Sequence, residues 1–203
     1  MAIQRVRSSK PAGSVRIRRS QPGTIWATLE TRQATSVLGE ILTAAIAIRP
    51  ATPGDLTVIG RLGALLVREH HDFDPQRFIA ATSQTEKSYG SFLGTQLTEP
   101  SIVILVAELD GEVIGYTYAG LEGTDYMSLR GPAGAFYDIV VDPAHRGQGV
   151  GRMLLDATLE GLKARGAPRV VLSTAEQNVA AQRLFDRAGF RRTMIEMTRE
   201  LND

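Results

Sequence analysis

Between a strand-like run and a helix-like run lies His145-Arg146-Gly147-Gln148-Gly149-Val150-Gly151-Arg152, with three glycines at alternate positions and two flanking arginines. Glycine gives up more backbone freedom on folding than any other residue and weakens regular elements. Its use here has a physical reason. The first turn of a helix leaves backbone N–H groups unpaired, and the macrodipole adds partial positive charge there. Residues without Cβ let an anion approach those N–H groups closely. Arg146 and Arg152 add charge, so the stretch reads either as a cradle for a diphosphate or as a tight strand-to-helix turn with solvated arginines.

Two common phosphate motifs are excluded. No GxxxxGK[ST] is present, and no lysine follows the glycines. A dinucleotide fingerprint needs glycine at 152 or 154, where Arg152 and Leu154 stand.

The surrounding pattern gives the fold class. A strand over Ala45 to Arg49 is followed by a helix opening at Thr52-Pro53, with Leu56, Ile59, Leu62, Gly63 and Leu66 as its buried stripe, reaching His70. A loop, His71 to Pro75, leads to a second helix over Gln76 to Leu97, in which Gly90 and Gly94 are expected breaks. Ser101 to Glu108 and Glu112 to Ala119 form a hairpin about Asp110-Gly111. Ala135 to Val141 is a strand, Val150 to Arg165 a helix, and Arg169 to Thr174 a strand. A helix capped by Asn178 follows, then a last strand over Arg192 to Leu201. The order β-α-α-β-β-β-α-β-α-β, with a hairpin in its middle, requires an α/β architecture: a mixed sheet flanked by helices.

Composition bounds the rest. The 203 residues are 43% hydrophobic and 22% charged, ordinary for a globular chain. No apolar run is long enough to span a bilayer. The absence of cysteine removes disulfides, thiolate metal sites and a cysteine nucleophile, and fits a reducing, cytoplasmic setting. His70, His71 and His145 have no metal-ligand spacing, so no metal is expected. Charge is uneven, +5 over residues 1–45 and −4 over 46–203. Residues 1–29 hold six basic residues and no acid, and cannot bury much apolar surface. Residues 1–45 are therefore read as a basic, flexible N-terminal extension, with a short helix over 34–45, and 46–203 as the folded domain. The extension reads as a solvated, non-catalytic arm, an organelle-targeting segment, or an arm for nucleic acid or another acidic partner. The negative charge of 46–203 argues against direct nucleic-acid binding by that domain.

Val140 to Gly151 resembles motif A of the GCN5-related N-acetyltransferase (GNAT) superfamily. The pattern [RQ]-x-x-G-x-[GA] is met by Arg146, Gly149 and Gly151. Asn178 to Phe190 is similar to the family's N-x-x-A-x-x-x-[YF]-x-x-x-G-F segment. The resemblance covers about 46–203. It implies that the strand before the loop splays from its neighbour and that acetyl-CoA lies in the gap. Ile139 and Val141 then supply backbone contacts to the pantetheine. The loop Arg146, Gly147, Gln148, Gly149, Val150, Gly151 and Arg152 holds the pyrophosphate. Asn178 contacts the cofactor, caps its helix, or does both.

The implied reaction is direct attack of an amine on the thioester, in a ternary complex. A base must take a proton from the amine, and a backbone N–H near Ile139 is placed to stabilise the oxyanion. Candidate bases are Tyr137 and Asp138, which alternate to opposite faces unless a bulge intervenes. Tyr137 is expected on the side of Ile139 and Val141, where it is otherwise a core aromatic. Asp138 is otherwise a cap or salt-bridge partner. Tyr116, Tyr118, Glu122 and the stretch His70 to Asp74 are candidate acceptor-lining residues. Many relatives carry a tyrosine acid where this chain has Phe185, which cannot donate a proton. The expected acceptor is an amine on a small molecule or on a protein. The rival reading is a non-catalytic acyl-CoA-binding or sensing module of the same fold. Homodimers are common in the family, which makes a dimer an expectation by analogy only.

Overall fold

The structure is a computed structural model and describes residues 45–201. The expected extension and its short helix lie outside the described residues, save Ala45. Five strands form one sheet in the order β1-β2-β3-β4-β5: β1 (Ala47–Pro50), β2 (Ile102–Leu109), β3 (Glu112–Glu122), β4 (Ala133–Val141) and β5 (Val170–Leu172). The first four are antiparallel neighbours and β5 is parallel to β4, so the sheet is mixed as the element order requires. The helices are α1 (Leu56–Phe73), α2 (Thr85–Gln96), α3 (Val150–Ala164) and α4 (Val179–Arg187).

Alternation along the strands sorts the core into two layers. Ile104, Val106, Tyr116 and Val140 pack against Ile59, Leu62 and Leu93 of α1 and α2. On the other face, Val103, Ala119 and Phe136 meet Leu155 and Leu162 of α3 and Phe185 of α4. Thr117 and Thr158 are fully buried there. Thr158 donates to Leu154 O (2.8 Å), and the two hydroxyls lie 2.7 Å apart, so neither burial leaves an unpaired polar group.

The start of α1 is fixed by charge as well as by its cap. Asp55 accepts from Thr52 N and Oγ1 (2.7 and 2.8 Å) and from both Nη atoms of Arg49 (2.8 and 2.9 Å), while Arg49 Nε reaches Glu108 of β2. The Arg49 guanidinium holds the Asp55 carboxyl well below the usual carboxylate range.

Several expectations need correction. The helix expected over Gln76 to Leu97 begins only at Thr85. Asp74 Oδ1 accepts from Gln76 N and Arg77 N, and Thr82 and Thr85 bond one another, so residues 74–84 spend their backbone groups in turns. Gly90 and Gly94 do not break α2. Gly90 is buried, and the two helices meet there almost backbone to backbone: a Cβ on Gly60 would lie 2.3 Å from Glu86 O, and one on Gly90 2.6 Å from Leu56 O. No strand forms over Arg192 to Leu201. Ile195, Met197 and Leu201 alternate as one strand face would, but no strand among the described residues pairs with this stretch, and these three and Met194 are exposed.

Gly60→Ala is expected to destabilise the protein by about 1–3 kcal/mol, as overpacking does, through the clash with Glu86 O. Urea unfolding checks this, with an unchanged slope as the control for an intact two-state transition.

Candidate active site

β4 and β5 share only three ladder positions, Gly134, Ala135 and Phe136 against Val170, Val171 and Leu172. β4 then continues to Val141 while the chain beyond Leu172 turns away. The gap between them is a cleft of about 240 Å³, walled by Leu66, Val67 and His70 of α1, Phe78 and Ile79, Phe136 to Ile139 of β4, Leu172 to Thr174, and Asn178, Ala181 and Phe185 of α4.

Asp142 N donates to Ile114 O across β3 (2.8 Å). Successive backbone groups of a strand face opposite edges, so those of Ile139 and Val141 face the open edge. Val141 O is already engaged there, accepting from Arg146 Nε at 2.9 Å, while Arg146 Nη2 pairs with Glu69 of α1 at 2.7 Å. Arg152 is likewise engaged, with Asp156 (2.7 Å) and with Arg187 O (3.3 Å). The side chains of both arginines are tied to the protein rather than aimed into the loop.

The loop backbone is different. Gly147 and Gly149 have φ of +76° and +85°, the left-handed region that costs residues with a Cβ about 1–2 kcal/mol. A Cβ on either would meet no atom within 4 Å, so the outer side of the loop is open. Among the described residues, no carbonyl or side chain accepts from the N–H groups of Gly147, Gln148, Gly149, Val150 or Gly151. Five consecutive free donors thus surround the first turn of α3, the arrangement that receives phosphate or carboxylate. Gly151 needs no special backbone: its Cβ would lie 3.5 Å from Leu184 Cδ2, in ordinary contact.

The middle of β4 carries a bulge, which breaks the alternation expected of Tyr137 and Asp138. Tyr118 pairs with Asp138 but Ala119 pairs with Phe136, leaving Tyr137 as an extra residue. The extra residue reverses which face its neighbours serve. Phe136 packs towards α3 and α4, whereas Asp138 and Val140 face α1 and α2. Tyr137 therefore does not simply share the side of Ile139 and Val141. Its ring lies against Tyr118 (centroids 4.7 Å apart), it is 41% exposed, and its hydroxyl donates to Glu122 Oε1 at 2.8 Å. Burial and the Glu122 carboxylate hold its pKa above the usual phenol value.

Asp138 is neither a helix cap nor a salt-bridge partner among the described residues. Its Oδ2 accepts from Tyr89 Oη of α2 and from Tyr116 Oη of β3, the latter at 3.2 Å. No group among the described residues bonds Oδ1, and Asp138 lines the cleft. Burial pushes its carboxyl above the usual range, opposed by the two phenols and by the nearby His70. Tyr116 is fully buried beneath Asp138, so it is not an open lining residue as expected. Tyr89 was not singled out by its sequence. Its only signal was that it sits on a helix with polar neighbours, which is too common to mark it.

His70 lines the cleft with its Nδ1 against Leu66 O (2.9 Å), and Asp72, Phe73 and Asp74 do not line it. Asn178 caps α4, accepting from Ala181 N at 3.1 Å, and also lines the cleft. Phe185 is buried edge-on to Phe190. Among the described residues, no cluster of three or more His, Asp or Glu could hold a metal ion, and no helix is long and apolar enough to cross a membrane.

A splayed strand pair that opens beside a helix N-terminus with free donors is consistent with the sequence resemblance, and the family model decides it: the acetyltransferase (GNAT) family matches residues 65–190, more than half of the chain. The chain belongs to this family. Similar GNAT-fold structures include a mutant of the BH1408 protein of Bacillus halodurans (TM-score 0.67, 22% identity, covering 77% of this chain and 99% of that one). Aminoglycoside N-acetyltransferase AAC(6')-Iy in complex with CoA is another (TM-score 0.61, 19% identity, 80% and 99% coverage). At these identities the likeness is one of fold. Mycothiol acetyltransferase of Thermobispora bispora is 38% identical over 96 residues, 45% of this chain and 31% of that protein. That of Streptosporangium roseum is 44% identical over 85 residues, 42% of this chain and 25% of that protein. The GNAT chain thus spans less than a third of the length of these relatives.

Gly149→Ala should lower stability by about 1–2 kcal/mol through its left-handed backbone, while Gly151→Ala should leave it nearly unchanged. Paired urea melts of the two variants check the contrast.

Proposed function

We propose that this protein is an N-acyltransferase that transfers an acetyl group from acetyl-CoA to an amine, with donor and acceptor held together on the protein. The observation that carries this reading is the cleft opened where β4 parts from β5, lined by Asp138, whose Oδ1 no described residue bonds, on the strand that leads into the loop with free backbone donors before α3.

The residues present fit the cofactor. The N–H groups of Gly147 to Gly151 and the positive end of α3 would hold the diphosphate. The open edge of β4, through the backbone groups of Ile139 and the N–H of Val141, would hold the pantetheine arm, Val141 O being taken by Arg146. Because Arg146 and Arg152 are engaged with Glu69 and Asp156, the loop's grip comes from its backbone. Asn178 forms a wall of the cleft while capping α4. Acetyl-CoA, when bound, supplies an acyl thioester open to attack by an amine.

An alkyl ammonium ordinarily keeps its proton up to about pH 10, so the acceptor needs a base. Asp138 suits that role through Oδ1, because burial raises its carboxyl towards the working pH. Tyr137 keeps its proton and already donates it to Glu122, so it is a phenol at the lip of the cleft rather than the base. Phe185 contributes packing and no proton. The names mycothiol acetyltransferase and aminoglycoside N-acetyltransferase direct the first acceptor tests to small-molecule amines, with protein N-termini and lysines as the second class. The absence of a phenol at Phe185 favours the rival reading, a non-catalytic acyl-CoA-binding or sensing module.

Calorimetric titration with acetyl-CoA and thiol-release assays over an amine panel test the proposal together. Saturable binding is expected in the parent and lost in Gly149→Val. Asp138→Asn should bind acetyl-CoA like the parent and lose about 10²-fold or more in kcat. Binding with no turnover on any amine would favour the sensing module.

A further inference from the structure

The close approach of α1 and α2 delivers a phenol to the cleft. Gly63 of α1 leaves a slot filled by the Tyr89 ring: a Cβ there would lie 2.2 Å from Tyr89 Cδ1. One turn away, the Gly60 and Gly90 contacts bring the helices near enough for this ring to pass between α1 and the sheet. Its hydroxyl then reaches Asp138 Oδ2, which the buried Tyr116 also addresses, from β3.

Both phenols are donors in this arrangement. Burial and the Asp138 carboxyl hold their pKa values above the usual phenol value, so neither gives up its proton at ordinary pH. With Oδ2 taken twice, the carboxyl cannot rotate without breaking two hydrogen bonds. The titratable groups facing it are His70 from α1, Tyr89 from α2, and Tyr116 and Tyr118 from β3, with Tyr137 beside it on β4. Ser173, Thr174 and Asn178, which form the opposite wall of the cleft, carry no charge.

We propose that Tyr89 is a positioning residue for the transfer reaction: acting through Asp138, it anchors Oδ2 on the helix side so that Oδ1 stays turned to the cleft. The inference rests on the acyltransferase reading, and it adds a residue on α2 that touches neither substrate nor cofactor. The donor also stabilises the ionised carboxylate against burial. Its removal therefore raises the pH at which Asp138 becomes a base.

The test uses the full chain, with Asp138 followed directly by carboxyl carbon NMR, its signal assigned through Asp138→Asn. In Tyr89→Phe, which preserves the ring that fills the Gly63 slot, the titration of Asp138 should move up by about 1–2 pH units, the worth of a hydrogen bond to a charged group. The rising limb of the kcat–pH profile should move up with it, while KM for acetyl-CoA stays near the parent value. Tyr116→Phe, as a second variant, should move both in the same direction. An unmoved titration in an active parent's Tyr89→Phe variant overturns the proposal alone. So does a titration that moves while the kcat limb stays in place, because Asp138 would then not be the group through which Tyr89 acts. A parent that binds acetyl-CoA yet acetylates no amine overturns the acyltransferase reading, and the reaction half of the proposal with it.

Discussion

Three ladder positions join β4 to β5, and then the strands part. Everything at the site follows from that separation. A parallel pair that stayed together to Val141 would use the backbone groups of Ile139 and Val141 on each other's neighbours and leave nothing for a ligand. Parting is stable because the lost hydrogen bonds are on an edge that faces a cleft, where another chain-like molecule can replace them. The cleft walls are mostly apolar, and Phe136, Ile139, Leu172 and Phe185 belong to the core beneath α3 and α4. The opening is thus a continuation of the hydrophobic core with one side removed.

At one end of this opening the chain turns into α3, and at its middle sits Asp138. The two features draw on different physics. The loop offers a partial charge spread over five N–H groups, and it needs the left-handed backbone at Gly147 and Gly149. Asp138, when ionised, carries its charge on one small carboxylate in a poorly solvated setting, where the two phenols ease the ionisation that burial opposes. In the proposed reaction, these two kinds of electrostatics would match a diphosphate and an amine proton.

Much of this was legible in the sequence. The glycine stretch marked the open turn into α3 because spacing, flanking strand and following helix agreed. Asn178 read correctly as a cap since the amphipathic run began at the next residue. The hairpin at Asp110-Gly111 was fixed by turn chemistry. What was not legible depended on contacts between distant elements. Gly90 reads as a break in isolation, and only the facing Leu56 carbonyl reveals it as a packing residue. Tyr89 is one aromatic among polar neighbours until Gly63, twenty-six positions earlier, admits its ring. Residues 192–201 have the composition of a strand, but a strand needs a neighbour to pair with, and none among the described residues pairs with them. The bulge at Tyr137 was posed as a condition by alternation, and the pairing with β3 met it.

That bulge sets what kinds of change the centre of the protein can absorb. On either side of Tyr137 the strand serves opposite faces, so Phe136 belongs to one layer and Asp138 to the other. Side chains can be exchanged there one at a time with local effects. Shortening or lengthening the strand by one residue is another matter. It would send Asp138 into the layer beneath α3 and α4, or Phe136 into the layer beneath α1 and α2. At this point of the fold, the count of residues carries more information than their identity.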